Sequence, residues 1–381
     1  MIIYICAFTE KGMSVISDIQ TLMPSHIFVT KEKNISLHSW VKSGFELRAP
    51  IIFVGACGIA VRSIASFVYS KLSDSPVIVI DEKKQYVIPI LSGHVGGANE
   101  LACEVAGLLG AEAVITTATD INNLFAVDVW ARENGLAIYN RDGIGKVSAK
   151  VIKGEKVTLA IRTSLSICTD SLPESIELVS GKDVDDCEKV TFSEKSPDCE
   201  KVADIIISDA VTDSERCQLL LIPKRICIGI GCRKDTDVAV IEKRVAFAMA
   251  ELNKKYTGAF NDIYEDIYGV ASIDLKAKEF GLNAFAQENG VRLVTFSSEE
   301  LQAVEGEYTE SKFVEKVTGV SNICEKAAVL LATDSVKAEN CHGAGEQAIT
   351  AMAFGDDKCI AVRKMAADGV TVAIAIRGKC E

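Results

Sequence analysis

The stretch Ile51–Arg62, "IIFVGACGIAVR", passes from an unbroken apolar run into glycines and then into a helical pattern. Apolar runs without alternation belong to strands covered on both faces, the usual state of parallel strands flanked by crossover helices. Glycine at the exit lets the backbone adopt positive φ and turn sharply. The segment therefore reads as strand, turn, helix, and its neighbours repeat the theme: Ile2–Phe8 "IIYICAF", Pro76–Asp81 "PVIVID", Tyr86–Leu91 "YVIPIL" and Ala113–Ala118 "AVITTA". Strands alternating with helical segments predict parallel βαβ units, and residues 1–139 are expected to form an N-terminal α/β domain.

Downstream the character changes. Charge-rich pieces, Gly181–Val190 "GKDVDDCEKV" and Ser193–Lys201 "SEKSPDCEK", separate the strand candidates Lys156–Thr163, Ala203–Asp209 and Cys217–Pro223. Residues 140–222 read as a small α/β middle domain with exposed loops. From residue 223 to 381 a second α/β pattern runs through "RICIGIG", "GVASID" and "VRLVTF" and closes on "CIAVRKM" and "TVAIAIR", with "AADG" between the last two as a hairpin turn. The expected fold is α/β: N-terminal and C-terminal sandwich-type domains with largely parallel sheets, joined by the middle domain.

The 381 residues exceed what one core holds, and 48% hydrophobic with 25% charged residues is an ordinary globular composition. A net charge of −12 and a pI near 5.1 argue against DNA, RNA or anionic lipid as partners, so any anion site must be local. "MIIYICAFTEKG" lacks the charged start and cleavage site of a secretory signal, and no apolar stretch approaches the roughly 20 residues of a membrane span. A soluble, cytoplasmic protein is expected. Thirteen cysteines, an odd number with no C-x-x-C spacing, predict reduced thiols and neither disulfides nor a bound metal.

Three apolar strands run into glycines and then a helix: Gly55 and Gly58 in the first, Ser92, Gly93, Gly96 and Gly97 in Leu91–Ala102 "LSGHVGGANELA", and Gly229 and Gly231 in "ICIGIGCRKDT". Helix starts after such turns present unpaired N–H groups and a positive dipole end, so each corner is a candidate cradle for carboxylate or phosphate. None is a Walker A loop, and "GIGCRK" lacks the third glycine of the dinucleotide fingerprint, which leaves nucleotide binding weakly supported. In an open parallel sheet all three corners would lie at the carboxyl ends of strands, where ligands bind. Arg62, Arg233 and Lys234 accompany them as carboxylate anchors.

His94 sits at the tip of its turn and is the best-suited general base or acid there, with ligand hydrogen bonding or capping as its other readings. Asn99 and Glu100 fall in the first helical turn, where they also favour the dipole. Asp120 in "TTATDIN" orients His94 or activates water, or caps the next helix. Cys232 is either a thiol activated by the helix end and Arg233 or a small packing residue. Asp274, Lys276 and Glu279 mark a strand–helix junction whose spacing alone fits solvated or capping charges.

Taken together, "GACGIAVR", "KLSDSPVIVIDEKKQYVIPILSGHVGGANELA" and "VITTATDINNLFAVD", with "IGIGCRKDT", "SIDLKAKEFGL", "LVTFSSEEL", "VTGVSNICEKAAVLLA" and "TVAIAI", resemble the cobalt-precorrin-5A hydrolases of anaerobic cobalamin biosynthesis. The resemblance covers most of Val41–Val129 and Ile226–Ile376. It implies opening of a δ-lactone on a carboxylate-rich cobalt tetrapyrrole and release of acetaldehyde. The cobalt arrives inside the substrate, so no separate cofactor is expected, and other enzymes of the pathway are candidate partners. On this view His94, Glu100 and Asp120 are the catalytic candidates, and the glycine corners with Arg62, Asn99, Cys232, Arg233, Lys276 and Glu279 meet the substrate. A non-catalytic carrier of corrinoid intermediates is the rival reading. Between Lys337 and Val370 the chain is longer than the family pattern, and its Gly343, Gly345 and Glu346 form a further candidate helix opening.

Overall fold

The computed structural model describes residues 1–70, 73–94, 96–117, 124–179, 203–257, 260, 264–333 and 359–378. Three sheets organise them, each with helices packed on it. The first contains β1 (Ile2–Ala7), β2 (Ile27–Thr30), β3 (Ile51–Val54), β4 (Val77–Ile80), β5 (Tyr86–Leu91) and β6 (Glu112–Ala113) in the order β2-β1-β3-β4-β5-β6. Its helices are α1 (Glu10–Leu22), α2 (Leu37–Glu46), α3 (Cys57–Ile64) and α4 (Ala98–Leu109).

The unbroken run in β3 is explained by where its side chains go. Ile52 and Val54 enter a core with Val15, Ile16 and Ile19 of α1 and Leu101 and Val105 of α4. Ile51 and Phe53 enter a second core with Trp40 and Val41 of α2 and Ala60 and Ile64 of α3. Both faces of the strand are dry, so no polar residue interrupts it.

One strand reverses. Strands β1 to β4 are parallel, but β5 is antiparallel to β4, with Val87 opposite Ile80 and Leu91 opposite Val77. A parallel crossover needs a dozen or more residues, and only Asp81–Gln85 lie between these strands. The Asp81 carboxylate closes this turn by accepting N–H bonds from Lys83, Gln85 and Tyr86 at 2.8, 2.8 and 2.7 Å, while Lys84 takes φ 57°. This corrects the expectation that all three glycine corners share the carboxyl edges of parallel strands. The corner after β5 lies at the opposite edge of the sheet from the corner after β3.

The middle unit comprises α5 (Val127–Glu133), β7 (Leu136–Ile138), α6 (Asp142–Ile152), β8 (Val157–Arg162), β9 (Ile176–Val179), β10 (Ala203–Ser208) and β11 (Cys217–Pro223), with sheet order β7-β11-β10-β8-β9. β7 pairs antiparallel with β11, and Val127, Trp130 and Ala131 of α5 share a core with Val147 of α6 and Leu159, Ile205 and Leu219 of the sheet. Residues 127–138, read from sequence as the end of the N-terminal domain, thus pack as part of the middle one.

The last unit runs β12 (Ile226–Cys232), α7 (Val238–Lys255), β13 (Ile267–Ile273), α8 (Phe280–Glu288), β14 (Arg292–Phe296), α9 (Ser298–Gln302), α10 (Lys312–Thr318), α11 (Cys324–Thr333), β15 (Ile360–Ala367) and β16 (Val370–Ile376). Sheet order is β14-β13-β12-β16-β15. The expected hairpin is present: β15 and β16 pair across a turn in which Asp368 and Gly369 have φ 53° and 80°. α7 and α11 contribute to two separate cores of this unit, Ile241 and Val245 to one and Ala327 and Leu331 to the other. Gly343, Gly345 and Glu346 lie outside the described residues.

Gly229 is buried in mid-strand, and a Cβ placed on it would stand 1.8 Å from the Cys324 carbonyl oxygen and 2.8 Å from the Ala328 nitrogen. Its missing side chain lets α11 lie flat on β12. The expectation that Gly229 bares an amide to a ligand is therefore replaced by a packing role. Gly229→Ala is expected to destabilise the protein by about 1–3 kcal/mol or more, because helix backbone has to move away. Urea unfolding of the two proteins measures this.

Candidate functional site

Each corner is built differently. After β3, Gly55 has φ 150°, yet its N–H is bonded to the Ile80 carbonyl at 2.8 Å and so stays within the sheet. Gly58 opens α3, and the Arg62 guanidinium folds back toward it, 3.6 Å from the position a Cβ would take. Arg62 has no hydrogen-bond acceptor or ion-pair partner among the described residues. Phe8, 44% exposed, stands beside Gly55. A cation next to an exposed ring suits a ligand with both acid groups and an apolar face.

The corner after β5 is a closed loop. Gly97 N–H donates to the His94 carbonyl at 3.0 Å, Ala98 N–H to Ser92 at 3.1 Å and Asn99 N–H to Gly93 at 3.1 Å. Three amides expected to be bare are therefore consumed by the turn itself. The N–H groups of Gly93 and Gly96 have no acceptor among the described residues. Ser92 takes φ 56° and its hydroxyl donates to the Asp74 carbonyl at 2.9 Å, so it ties the turn down. A Cβ on Gly96 would meet that Ser92 at 2.5 Å, and one on Gly93 would meet the Asn99 amide at 2.7 Å. Gly97, at φ 82°, precedes α4 in the left-handed region. Asn99 donates to the Thr117 hydroxyl at 3.2 Å and links the turn to the chain following β6. Asp120, further along, lies outside the described residues.

Two residues of the middle unit, which carry no motif in the sequence, join this corner. Arg132 at the end of α5 donates to the His94 carbonyl at 3.3 Å and pairs with the Glu100 carboxylate. Burial, with the negative charge of Glu100, holds the neighbouring Glu133 carboxyl above its ordinary range, although Arg132 pulls it down. His94, Glu100, Arg132 and Glu133 thus form one polar group drawn from two units. Only folding brings them together, so no local spacing announces them.

The corner after β12 gathers another set. Lys276 pairs with Glu279 at 2.9 Å, both largely shielded from solvent, and Glu279 accepts the Thr236 N–H at 3.2 Å. Gly231 admits the Thr371 hydroxyl, which donates to its carbonyl at 3.2 Å. Arg233 N–H is bonded to the Gly369 carbonyl at 3.1 Å, and the exposed Arg233 side chain packs over Gly369. Cys232 lies near Lys276 and Glu279, and burial pushes its thiol up to about 11 despite the nearby lysine. The expectation of an activated nucleophile at Cys232 gives way to its other reading, a packing residue. Among the described residues no group of three or more His, Cys, Asp or Glu is placed to hold a metal ion.

Three family models tile this chain: Cobalamin synthesis G N-terminal over residues 39–120, Cobalamin biosynthesis central region over 125–223, and Cobalamin synthesis G C-terminus over 226–375. The central model begins beside α5, as the packing does. The three units are those of a cobalamin-synthesis protein. A cobalt-precorrin-5A hydrolase of Salmonella typhimurium is 32% identical over 310 residues, which span 81% of this chain and 82% of that protein. One from Priestia megaterium is 31% identical over 317 residues, 79% of this chain and 78% of its own. A cobalamin biosynthesis protein G homolog from Sulfolobus solfataricus, a solved structure, matches 98% of this chain and 96% of its own at 22% identity and TM-score 0.40. The chain belongs to the cobalt-precorrin-5A hydrolase family.

The thiol of Cys232 yields a direct prediction. With its ionisation near 11 against an ordinary 9.0, the thiolate fraction at neutral pH falls about a hundredfold. Exposed Cys103 is expected to be alkylated by iodoacetamide at pH 7.5 well before Cys232, as read by peptide mass spectrometry.

Proposed function

We propose that this enzyme hydrolyses the δ-lactone of cobalt-precorrin-5A and releases acetaldehyde, giving cobalt-precorrin-5B in anaerobic cobalamin biosynthesis. The observation that carries the reading is the match to cobalt-precorrin-5A hydrolases at 32% identity across 81% of the chain. The lactone is a ring ester, so water must add to its carbonyl carbon and the ring C–O bond must break. His94 accepts the proton of that water as general base. Glu100 or Asp120 assists it. The N–H groups of Gly93 and Gly96 face the developing oxyanion, a role that suits preorganised amides with no acceptor among the described residues. The alcohol freed from the ring then loses its O–H proton to a base and forms the C=O of acetaldehyde as the C–C bond to the macrocycle breaks. The bond's electron pair enters the conjugated macrocycle, which takes up a proton. Cobalt travels within the substrate, and the reading requires no separate organic cofactor.

The substrate carries many acetate and propionate arms, and an acidic protein repels them at long range. Local cations must hold them: Arg62 at one corner and Arg233 and Lys234 at another, where the charge of Lys276 is already met by Glu279. Tyr69 is 87% exposed, and its N–H is bonded to the carboxylate of Asp74, the residue whose carbonyl receives Ser92. Its exposed aromatic ring is a candidate face for the flat macrocycle. A cytoplasmic setting and exchange of intermediates with other enzymes of the pathway belong to the same proposal and rest on the family resemblance.

Pure protein incubated anoxically with cobalt-precorrin-5A is expected to release acetaldehyde, trapped as its hydrazone, in step with loss of the lactone. Binding without acetaldehyde would identify a carrier instead. His94→Ala is expected to lower kcat about 10²–10⁴-fold while the protein remains folded. A normal rate in that variant would remove His94 as the base and leave the family assignment standing.

A further inference from the structure

We propose that Arg132, carried by the middle unit, is a positioning residue for the His94 turn, so that the reacting corner is completed across a domain boundary. The proposal rests on the reading of His94 given above. One guanidinium meets the turn at several points: it donates to the His94 carbonyl at 3.3 Å, it pairs with Glu100 on the first turn of α4, and it lies 3.6 Å from where a Gly97 Cβ would stand. Arginine can do this because its planar fork presents several donors in fixed directions, whereas lysine presents a single point of charge.

The turn needs such a clamp. Ser92 and Gly97 are both in the left-handed region, so the loop between them is held by a few local bonds and not by a regular ladder. The His94 carbonyl already accepts the Gly97 N–H at 3.0 Å, and Arg132 adds a second donor to the same oxygen. That oxygen belongs to the residue whose ring does the chemistry, so fixing it fixes the start of the side chain. The other end of the clamp is rigid: Trp130 and Ala131, the two residues before Arg132, are buried in the middle core.

A merely stabilising ion pair would behave differently. Arg132 and Glu100 are 38% and 60% exposed, and pairs in that setting add little to folding stability. A large rate effect from Arg132 with little change in melting would therefore report geometry at the site.

The test compares wild type, R132A and R132K as full-length protein, with acetaldehyde release from cobalt-precorrin-5A as the assay and circular dichroism to follow melting. R132A is expected to lose about 10–100-fold in kcat, the scale of a small misplacement at a reacting centre, with KM changed less than about threefold and melting essentially unchanged. R132K is expected to remain impaired, and millimolar guanidinium is expected to restore part of the rate to R132A but none to H94A. A wild-type kcat in both Arg132 variants overturns the proposal, as does a loss that follows lowered melting and resists guanidinium. If wild type itself releases no acetaldehyde, the functional reading falls first and takes this role with it; active wild type with unimpaired R132A removes the role alone.

Discussion

The Asp81 carboxylate gathers the N–H groups of Lys83, Gln85 and Tyr86 and sends β5 back against β4. From that reversal the placement of the His94 turn follows. Had β5 continued in parallel, the His94 turn would have joined the Gly55 corner at one edge of the first sheet. Instead it emerges at the far edge, where Asp74 anchors it through Ser92 and Arg132 reaches it from the middle unit. β6 runs parallel to β5, so the chain leaving β6 comes out on the same side, and Thr117 meets Asn99 there.

At these corners backbone amides serve mainly to shape the turn. Gly55 gives its N–H to the sheet, Gly97, Ala98 and Asn99 give theirs to the loop, and Arg233 bonds to Gly369. An N–H already bonded has little to offer an incoming carboxylate, since the old bond must break first. Under the proposed function, recognition of acid arms would fall mainly to side-chain cations, and among the described residues the Gly93 and Gly96 N–H groups have no acceptor. On that proposal a net charge of −12 is compatible with an anionic substrate, because a few cations at the corners would act at short range, where screening is least effective.

Much of the fold was legible because apolar runs and their punctuation reflect physical needs. "IIFV" announced a strand dry on both faces, and "AADG" announced the closing hairpin with its positive φ pair. The five residues Asp81–Gln85 also carry the reversal of β5, since they are too few for a crossover, whereas the glycines after β5 match equally the exit of a parallel strand. Residues 127–138 fall within the bounds expected for the first unit because their own pattern says nothing of the partners they pack on, which lie further along the chain at Val147, Leu159, Ile205 and Leu219. Gly229 resembled a cradle glycine for a similar reason. The demand it meets, the Cys324 carbonyl of α11, lies far along the chain. Arg132 was invisible because its partners, His94 and Glu100, are 38 and 32 residues away.

The short segment from Arg132 to Gly135 links the two outer units. Arg132 touches the first through the His94 turn, and Gly135, at φ 64°, receives the ring of Tyr268 from the third so closely that a Cβ would stand 2.3 Å from it. Tyr268 is itself held between the guanidinium groups of Arg292 and Arg377, at 3.8 and 3.7 Å from its ring centre, and the Gly135 carbonyl accepts the Lys224 N–H at 2.9 Å. The outer units also meet directly, where the Gln287 side chain bonds both the N–H and the carbonyl of Ile2. A bidentate bond to the first strand at one place and a bracket through Arg132–Gly135 at another tie the outer units together at two points. A middle domain built in this way is more than a spacer, because moving it against the first unit would break the Arg132 contact to the His94 turn, and moving it against the third would break the packing of Gly135 on Tyr268.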